Sequence, residues 1–284
     1  MSPLSEISEY YREAPLTIPK AWNLSRKHFR IRIWNGKFLK LNKFRSRLGV
    51  RELKYYGVKY APISLYFSVL DWLFPECVGA KHRARYAVPI GGEYVVDVDD
   101  TSFRIPHHHR YDRHHGVCYG CLLNSQKITL HIVEQIAKNY SNILIVFSGQ
   151  RGFHIHTLDY QYRDFTAYNA RNPLKSMEVG RFKYSLQLAS YCRPFFNKSH
   201  FILSTDPLRV ISVPTSLNGR SGLICVPIGN IKALERLDIH ALLLKANPLN
   251  RETKPLTMLD LLYAHPELYE PLSVPTVADS WGGR

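Results

Sequence analysis

Acidic residues are scarce in this chain: 23 Asp and Glu face 38 Lys and Arg, a formal charge of +15. Such an excess points to an acidic partner, nucleic acid first, because much of the charge is clustered rather than spread as it would be for solubility alone. Cysteine is also sparse. There are five, an odd number, and only Cys118 and Cys121 lie close together, which excludes a secreted disulfide framework. No apolar run approaches the ~20 residues of a membrane helix. The opening MSPLSEISEYYREAP lacks an apolar signal core. The expectation is a soluble intracellular protein, cytoplasmic or nuclear, with no membrane partner. Internal repeats and low-complexity linkers are missing too. Aromatics are plentiful, with 18 Tyr and 13 Phe, which excludes a disordered chain and permits a large core. The length of 284 residues suits one domain, residues 1–284, carrying insertions and a Pro-rich tail from about 248.

Periodicity divides the chain. In RKHFRIRIW, Phe29, Ile31 and Ile33 alternate with Arg30 and Arg32, predicting a strand whose polar face is cationic or, equally, an edge strand guarded by charge. EYVVDVDD (93–100) predicts a second strand and NILIVF (142–147) a buried one. A helix is expected over 124–140, from Ile128, Ile132, Val133 and Ile136, and another over roughly 231–246. Residues 160–195 read as helical, interrupted at Asn172 and Pro173. Residues 201–228 read as strands joined by turns at Asp206-Pro207 and Asn218-Gly219. The order predicts an α/β (α+β) domain of mixed sheets flanked by helices.

Three constellations could do chemistry. Asp97 and Asp99 end a strand and, two residues apart, project from one face. Paired carboxylates repel, and a hard divalent cation, Mg2+ or Mn2+, relieves the repulsion. An acidic turn closed by Asp100 and Thr101 is the plainer account of this motif alone. Ser148-Gly149-Gln150-Arg151-Gly152-Phe153-His154 follows an apolar strand and collects glycines, a fixed charge, a hydroxyl and an imidazole, a set suited to a triphosphate. It lacks the Lys-Ser/Thr ending of a Walker loop. Ser216-Leu217-Asn218-Gly219-Arg220-Ser221-Gly222 repeats the theme, although an Asn-Gly hairpin turn would explain it in isolation.

A fourth feature is PHHHRYDRHHGVCYGC (106–121), in which five histidines precede Cys118-x-x-Cys121. Thiolate and imidazole together fit tetrahedral Zn2+. His109 and His114 are favoured as its nitrogen ligands, with His108 and His115 next. An exposed His-rich loop beside two unrelated cysteines is the alternative.

Taken in order, DxD after a strand, then SGxRGxH, then PxSLxGxSG, the chain resembles the small catalytic subunit of archaeal and eukaryotic DNA primases over residues 10 to about 230. The resemblance implies a template-dependent nucleotidyltransferase that makes primers on single-stranded DNA with two metal ions. Asp97 and Asp99 would hold those metals. Ser148, Gly149, Arg151 and His154 would bind nucleotide phosphates, joined by Ser216, Asn218 and Arg220. Asn218 stands where the family usually has His, and Ser212 where it often has a basic residue. The third acidic ligand is Asp206 by its downstream spacing to Arg209, or His200 by counting back along the family pattern. A plain turn at Asp206-Pro207 is the third option. The resemblance also implies a zinc-knuckle insertion at about 104–123, nucleoside triphosphate substrates and a primase large subunit as partner. Two rivals remain: a polymerase of the same superfamily acting without a partner in a repair, plasmid or viral system, and a non-catalytic nucleic-acid-binding accessory protein.

Overall fold

The computed structural model describes residues 3–14, 16–43, 47–80, 82–83, 86–99, 117–159, 188, 190 and 208–248. Within them, two four-stranded sheets carry the architecture, each antiparallel throughout. Sheet one contains β1 (Phe29–Arg32), β2 (Phe38–Lys40), β3 (Ser64–Ser68) and β9 (Val210–Ser212), in the spatial order β2-β1-β3-β9. Sheet two contains β6 (Tyr94–Val98), β7 (Ile143–Phe147), β8 (Phe153–Thr157) and β10 (Pro227–Gly229), in the order β10-β7-β8-β6. A two-stranded ribbon, β4 (Leu70–Trp72) with β5 (Pro89–Gly92), lies between them in sequence.

Alternation sorts the side chains. In sheet one, Phe29, Ile31, Leu65, Phe67 and Ile211 are buried against α1 (Pro3–Glu13) and α2 (Val50–Tyr60), while Arg30, Arg32 and Tyr66 are only half-buried. β1 has partners on both sides, so its arginines do not guard an edge; they form the polar face of an internal strand. In sheet two, Tyr94, Val96, Val98, Ile145, Phe147 and Ile155 join a second core with α3 (Tyr119–Ile136), α4 (Ile231–Glu235) and α5 (Ile239–Ala246). Val95 faces the other way, into the first core. By parity Asp97 projects with Val95, from the side of sheet two that looks toward sheet one.

Three expectations need adjustment. The helix expected over 124–140 begins five residues earlier, at Tyr119, because Cys118 adopts an extended N-cap conformation, and it ends at Ile136. The single helix expected over 231–246 is two. Asp238 restarts it by accepting from the His240 amide (2.8 Å), as Asn230 starts the first by accepting from Ala233 (3.1 Å). The Asn218-Gly219 turn is a longer loop: Asn218 N–H donates to Leu223, Gly222 N–H donates to Asn218, and the left-handed residue is Gly222 (φ 75°). The region 160–187, the Asp206-Pro207 turn and the tail from 249 lie outside the described residues.

Candidate functional site

Among the described residues β6 is the edge of sheet two and pairs only with β8, with Asp97 opposite His154 and Val95 opposite His156. Both histidines therefore stand on the face that carries Asp97. His154 Nε2 lies 3.6 Å from one Asp97 oxygen, and the Arg209 guanidinium pairs with the other. Burial pushes the Asp97 carboxyl above its ordinary value, Arg209 opposes this, and the neighbouring Asp99 charge adds to the rise. Two carboxylates that feel one another in this way fit a hard divalent cation through oxygen donors alone. The described residues contain no group of three or more His, Cys, Asp or Glu disposed to hold a metal, and Asp206, His200, His109 and His114 lie outside them.

His154 is 5% exposed, and burial, followed by the charges of His156 and Arg209, pushes its pKa well below the ordinary histidine value. Burial thus disfavours the charged form of this imidazole. Its Nδ1 has no hydrogen-bond partner among the described residues.

The loop between β7 and β8 holds the glycine-rich motif in a tight reversal: Ser148 N–H donates to Gly152 (2.9 Å) and Gly152 N–H to Ser148 Oγ (3.3 Å). Its glycines serve contact within the protein. A Cβ on Gly152 would fall 1.8 Å from the Val98 carbonyl oxygen, so this loop is pressed onto the strand bearing Asp97 and Asp99. Gly149, at φ +82°, leaves room for Asn218, whose Cβ would be 2.7 Å from an added side chain. Asn218 Nδ2 donates to the Ser148 carbonyl (2.8 Å), Cys225 Sγ lies 3.3 Å from the same oxygen, and Ser221 Oγ donates to Gly149. The three motifs, distant in sequence, are thus one packed unit.

Within that unit, availability differs. Arg151 and Ser148 are half-buried and Arg220 is exposed, while Ser216 is fully buried and its hydroxyl donates to Leu65 (3.3 Å). Ser216 positions its loop against β3 and does not present a hydroxyl to solvent. Ser212 is buried at the end of β9. Cys118 and Cys121 are reduced, buried and one helical turn apart at the start of α3.

Sequence reading missed two features. One is the role of Arg209 as partner of Asp97. The other is a buried ionic cluster: Glu93 takes hydrogen bonds from His156 (3.1 Å) and Trp22 (3.2 Å), while Lys27, 2% exposed, sits 4.0 Å from Glu93 and 3.1 Å from Asp71. Burial raises the Glu93 pKa, but His156, Lys27 and Trp22 outweigh it and hold the carboxyl below its ordinary value. The alternation His154-x-His156 in a strand was the available signal, since it places both rings on one face.

No protein-family model matches the chain. Its fold is similar to that of the polymerase domain of ligase D from Mycobacterium tuberculosis, solved with DNA, with a TM-score of 0.52 at 13% identity, covering 91% of this chain and 92% of that one. Among proteins, the chain is similar to archaeal primase small subunits. It is 28% identical over 202 residues to an uncharacterized DNA primase small subunit-like protein of Archaeoglobus fulgidus, covering 67% of this chain and 65% of that protein. It is 24% identical to the DNA primase small subunit PriS of Sulfolobus acidocaldarius, covering 78% and 74%, and 24% identical to that of Pyrobaculum arsenaticum, covering 75% and 74%. The chain therefore spans about two thirds to three quarters of the length of these relatives. Among the described residues no helix is long and apolar enough to cross a membrane.

Proposed function

We propose that the protein is a primase-type nucleotidyltransferase, joining nucleotides on a single-stranded DNA template. The observation that carries this reading is the packing of the first glycine-rich loop, itself backed by the Asn218 loop, onto the end of the strand that bears Asp97 and Asp99, in a chain whose relatives are named primase small subunits. Asp97 and Asp99, completed by Asp206 or His200, would hold Mg2+ or Mn2+. Bound there, the metals supply charge neutralisation for the attacking hydroxyl and the triphosphate.

The remaining work falls to the chain's own groups. Arg151 and Arg220 supply fixed positive charge for the triphosphate, and the Ser148–Gly149 turn brings a hydroxyl and backbone close to it. His154 contributes hydrogen bonding and orientation. Asn218 acts indirectly, holding the Ser148 carbonyl and so fixing where the first loop meets the second. Arg209 keeps the Asp97 carboxylate neutralised when no other cation does so. Cys118 and Cys121, with two of His109, His114, His108 and His115, would hold a structural Zn2+. A primase large subunit would be the protein partner.

The test is incubation of the purified protein with single-stranded DNA and labelled NTPs or dNTPs, with Mg2+ or Mn2+. Products made without a supplied primer support the reading, and Asp97→Asn and Asp99→Asn should each abolish them while leaving the melting temperature near wild type. Extension of a supplied primer alone would point to the partner-independent polymerase. Absence of any product in every mixture would refute transferase activity and leave an accessory binding protein.

A further inference from the structure

The segment from Lys20 to Lys59 contains thirteen Lys and Arg and a single acid, Glu52, so it carries twelve of the chain's fifteen net positive charges. Glu52 is already engaged, accepting from the Gly49 amide at the start of α2 (2.8 Å). Within this segment β1 and β2 place Arg30, Arg32, Phe38 and Lys40 on the face of sheet one opposite its apolar core, and the register shows what that face displays. Phe38 lies directly opposite Arg32, and Arg32 directly opposite Ser64. Ser64 Oγ in turn accepts from the Gly219 amide (2.8 Å), inside the second glycine-rich loop. A straight cross-strand row, Phe38–Arg32–Ser64, therefore runs from the proposed nucleotide loop outward, with strand spacings of ~4.8 Å.

The outer end of this row is aromatic and unusually exposed. Phe38 is 54% exposed; the Arg32 guanidinium lies over its ring at 5.8 Å, and Tyr66 flanks it at 6.1 Å. Trp34, on the turn that joins β1 to β2, is 61% exposed. A lone exposed aromatic needs no explanation. Here Phe38 stands beside an arginine whose Nε is buried and has no hydrogen-bond partner among the described residues, and Trp34 follows that arginine by two residues. Neither β1, β2, β3 nor β9 contains an acid to answer that charge. Exposed rings alternating with cations and leading away from a phosphate-binding loop are the chemistry that accommodates a single strand: bases stack on the rings and the backbone follows the charge.

We propose that Trp34, Phe38, Tyr66 and Arg32 form a base-stacking platform for single-stranded nucleic acid, which enters or leaves the site past the outer, β2 side of sheet one. The proposal rests on the functional reading above for the identity of the strand as template. Its test is binding alone, so the two can fail separately.

Binding of a fluorescein-labelled oligothymidylate is measured by anisotropy for the full chain without nucleotide, and compared with an equally long strand of abasic sites. Trp34→Ala and Phe38→Ala should each raise the dissociation constant for oligothymidylate about fivefold or more. Trp34→Phe should restore most of the loss. Binding of the abasic strand should be weaker in the wild type and insensitive to both alanine variants. Both side chains are exposed, so melting temperatures should not move. The platform is overturned if both alanine variants bind within twofold of wild type, which would leave the ridge to a protein partner. It is equally overturned if the abasic strand loses as much affinity as oligothymidylate. Primer synthesis by the wild type with unchanged affinity in the variants sinks the platform alone; the expected affinity losses in a protein that synthesises nothing sink only the functional reading.

Discussion

Replacing Gly152 with alanine tests whether the glycine-rich loop is built to lie on the strand that carries the carboxylates. An ideal Cβ there would stand 1.8 Å from the Val98 carbonyl oxygen, 2.8 Å from its carbon and 3.1 Å from the Asp99 Cα. All three atoms are backbone, so no side chain can rotate aside. Carbon and carbonyl oxygen settle near 3.3 Å or beyond, so loop and strand must part by about 1.5 Å. That separation would break the end of the β6–β8 ladder, where Val98 faces Phe153 and Asp97 faces His154. Overpacking of this kind costs roughly 1–3 kcal/mol, and each ladder hydrogen bond lost adds about 1 kcal/mol. The reduced freedom of the unfolded alanine chain returns less than ~1 kcal/mol. A net loss of about 3 kcal/mol is expected, a large share of a typical domain's stability. Urea denaturation followed by circular dichroism measures it. Gly222→Ala is the control: its Cβ meets nothing within 4 Å, so only the strain of φ +75° applies, about 1–2 kcal/mol. Gly152→Ala within 0.5 kcal/mol of wild type, or less damaging than Gly222→Ala, would refute the close approach.

Stability should fall on mild acidification. The His28 pKa is pushed down from 6.5 to about 4 by burial and then by Arg30, so the unfolded chain binds the proton first. Stability present above pH 6.5 is lost progressively toward pH 4, by up to about 3 kcal/mol, and melting curves of His28→Asn should be flatter across that range. Glu93→Ala should cost about 3–5 kcal/mol in urea denaturation, because it strips a partner from buried Lys27, whereas Lys27→Met combined with Glu93→Leu should cost less than the single change. Metal analysis of freshly purified protein should find one zinc per chain, and Cys118→Ser should lower it; zinc-free wild type would dismiss the knuckle.

Local pattern revealed the local elements. β7 was legible because NILIVF is an uninterrupted apolar run, and all five strand residues are buried. β6 was legible from Val95, Val96 and Val98 beside the acidic pair. Asp97, Ser148, Gly149, His154 and Asn218 could be named as candidates because spacing and resemblance both reach them. What no window of sequence contains is pairing at a distance. Tyr66 beside Ser212 and Arg209 on Asp97 each join segments more than a hundred residues apart. The glycines answer a second demand that the sequence did not reveal. Beside their suitability for an approaching phosphate, Gly149 and Gly152 admit the Asn218 loop and the backbone of β6. Lys27 was indistinguishable from its basic neighbours until burial separated it from them.

Strand order in the two sheets has a consequence for how the chain is made. Sheet one is open along β3 until β9, at Val210–Ser212, is added, and sheet two is open along β7 until β10, at Pro227–Gly229. During vectorial synthesis no other described strand pairs with either edge before these residues emerge, and unpaired edges are templates for wrong partners. Residues 209–229 then close both sheets and also bring Arg209 to Asp97 and Asn218 to Ser148. Completion of the fold and assembly of the site are one late event, so a ribosome stalled before residue 209 holds a chain with neither.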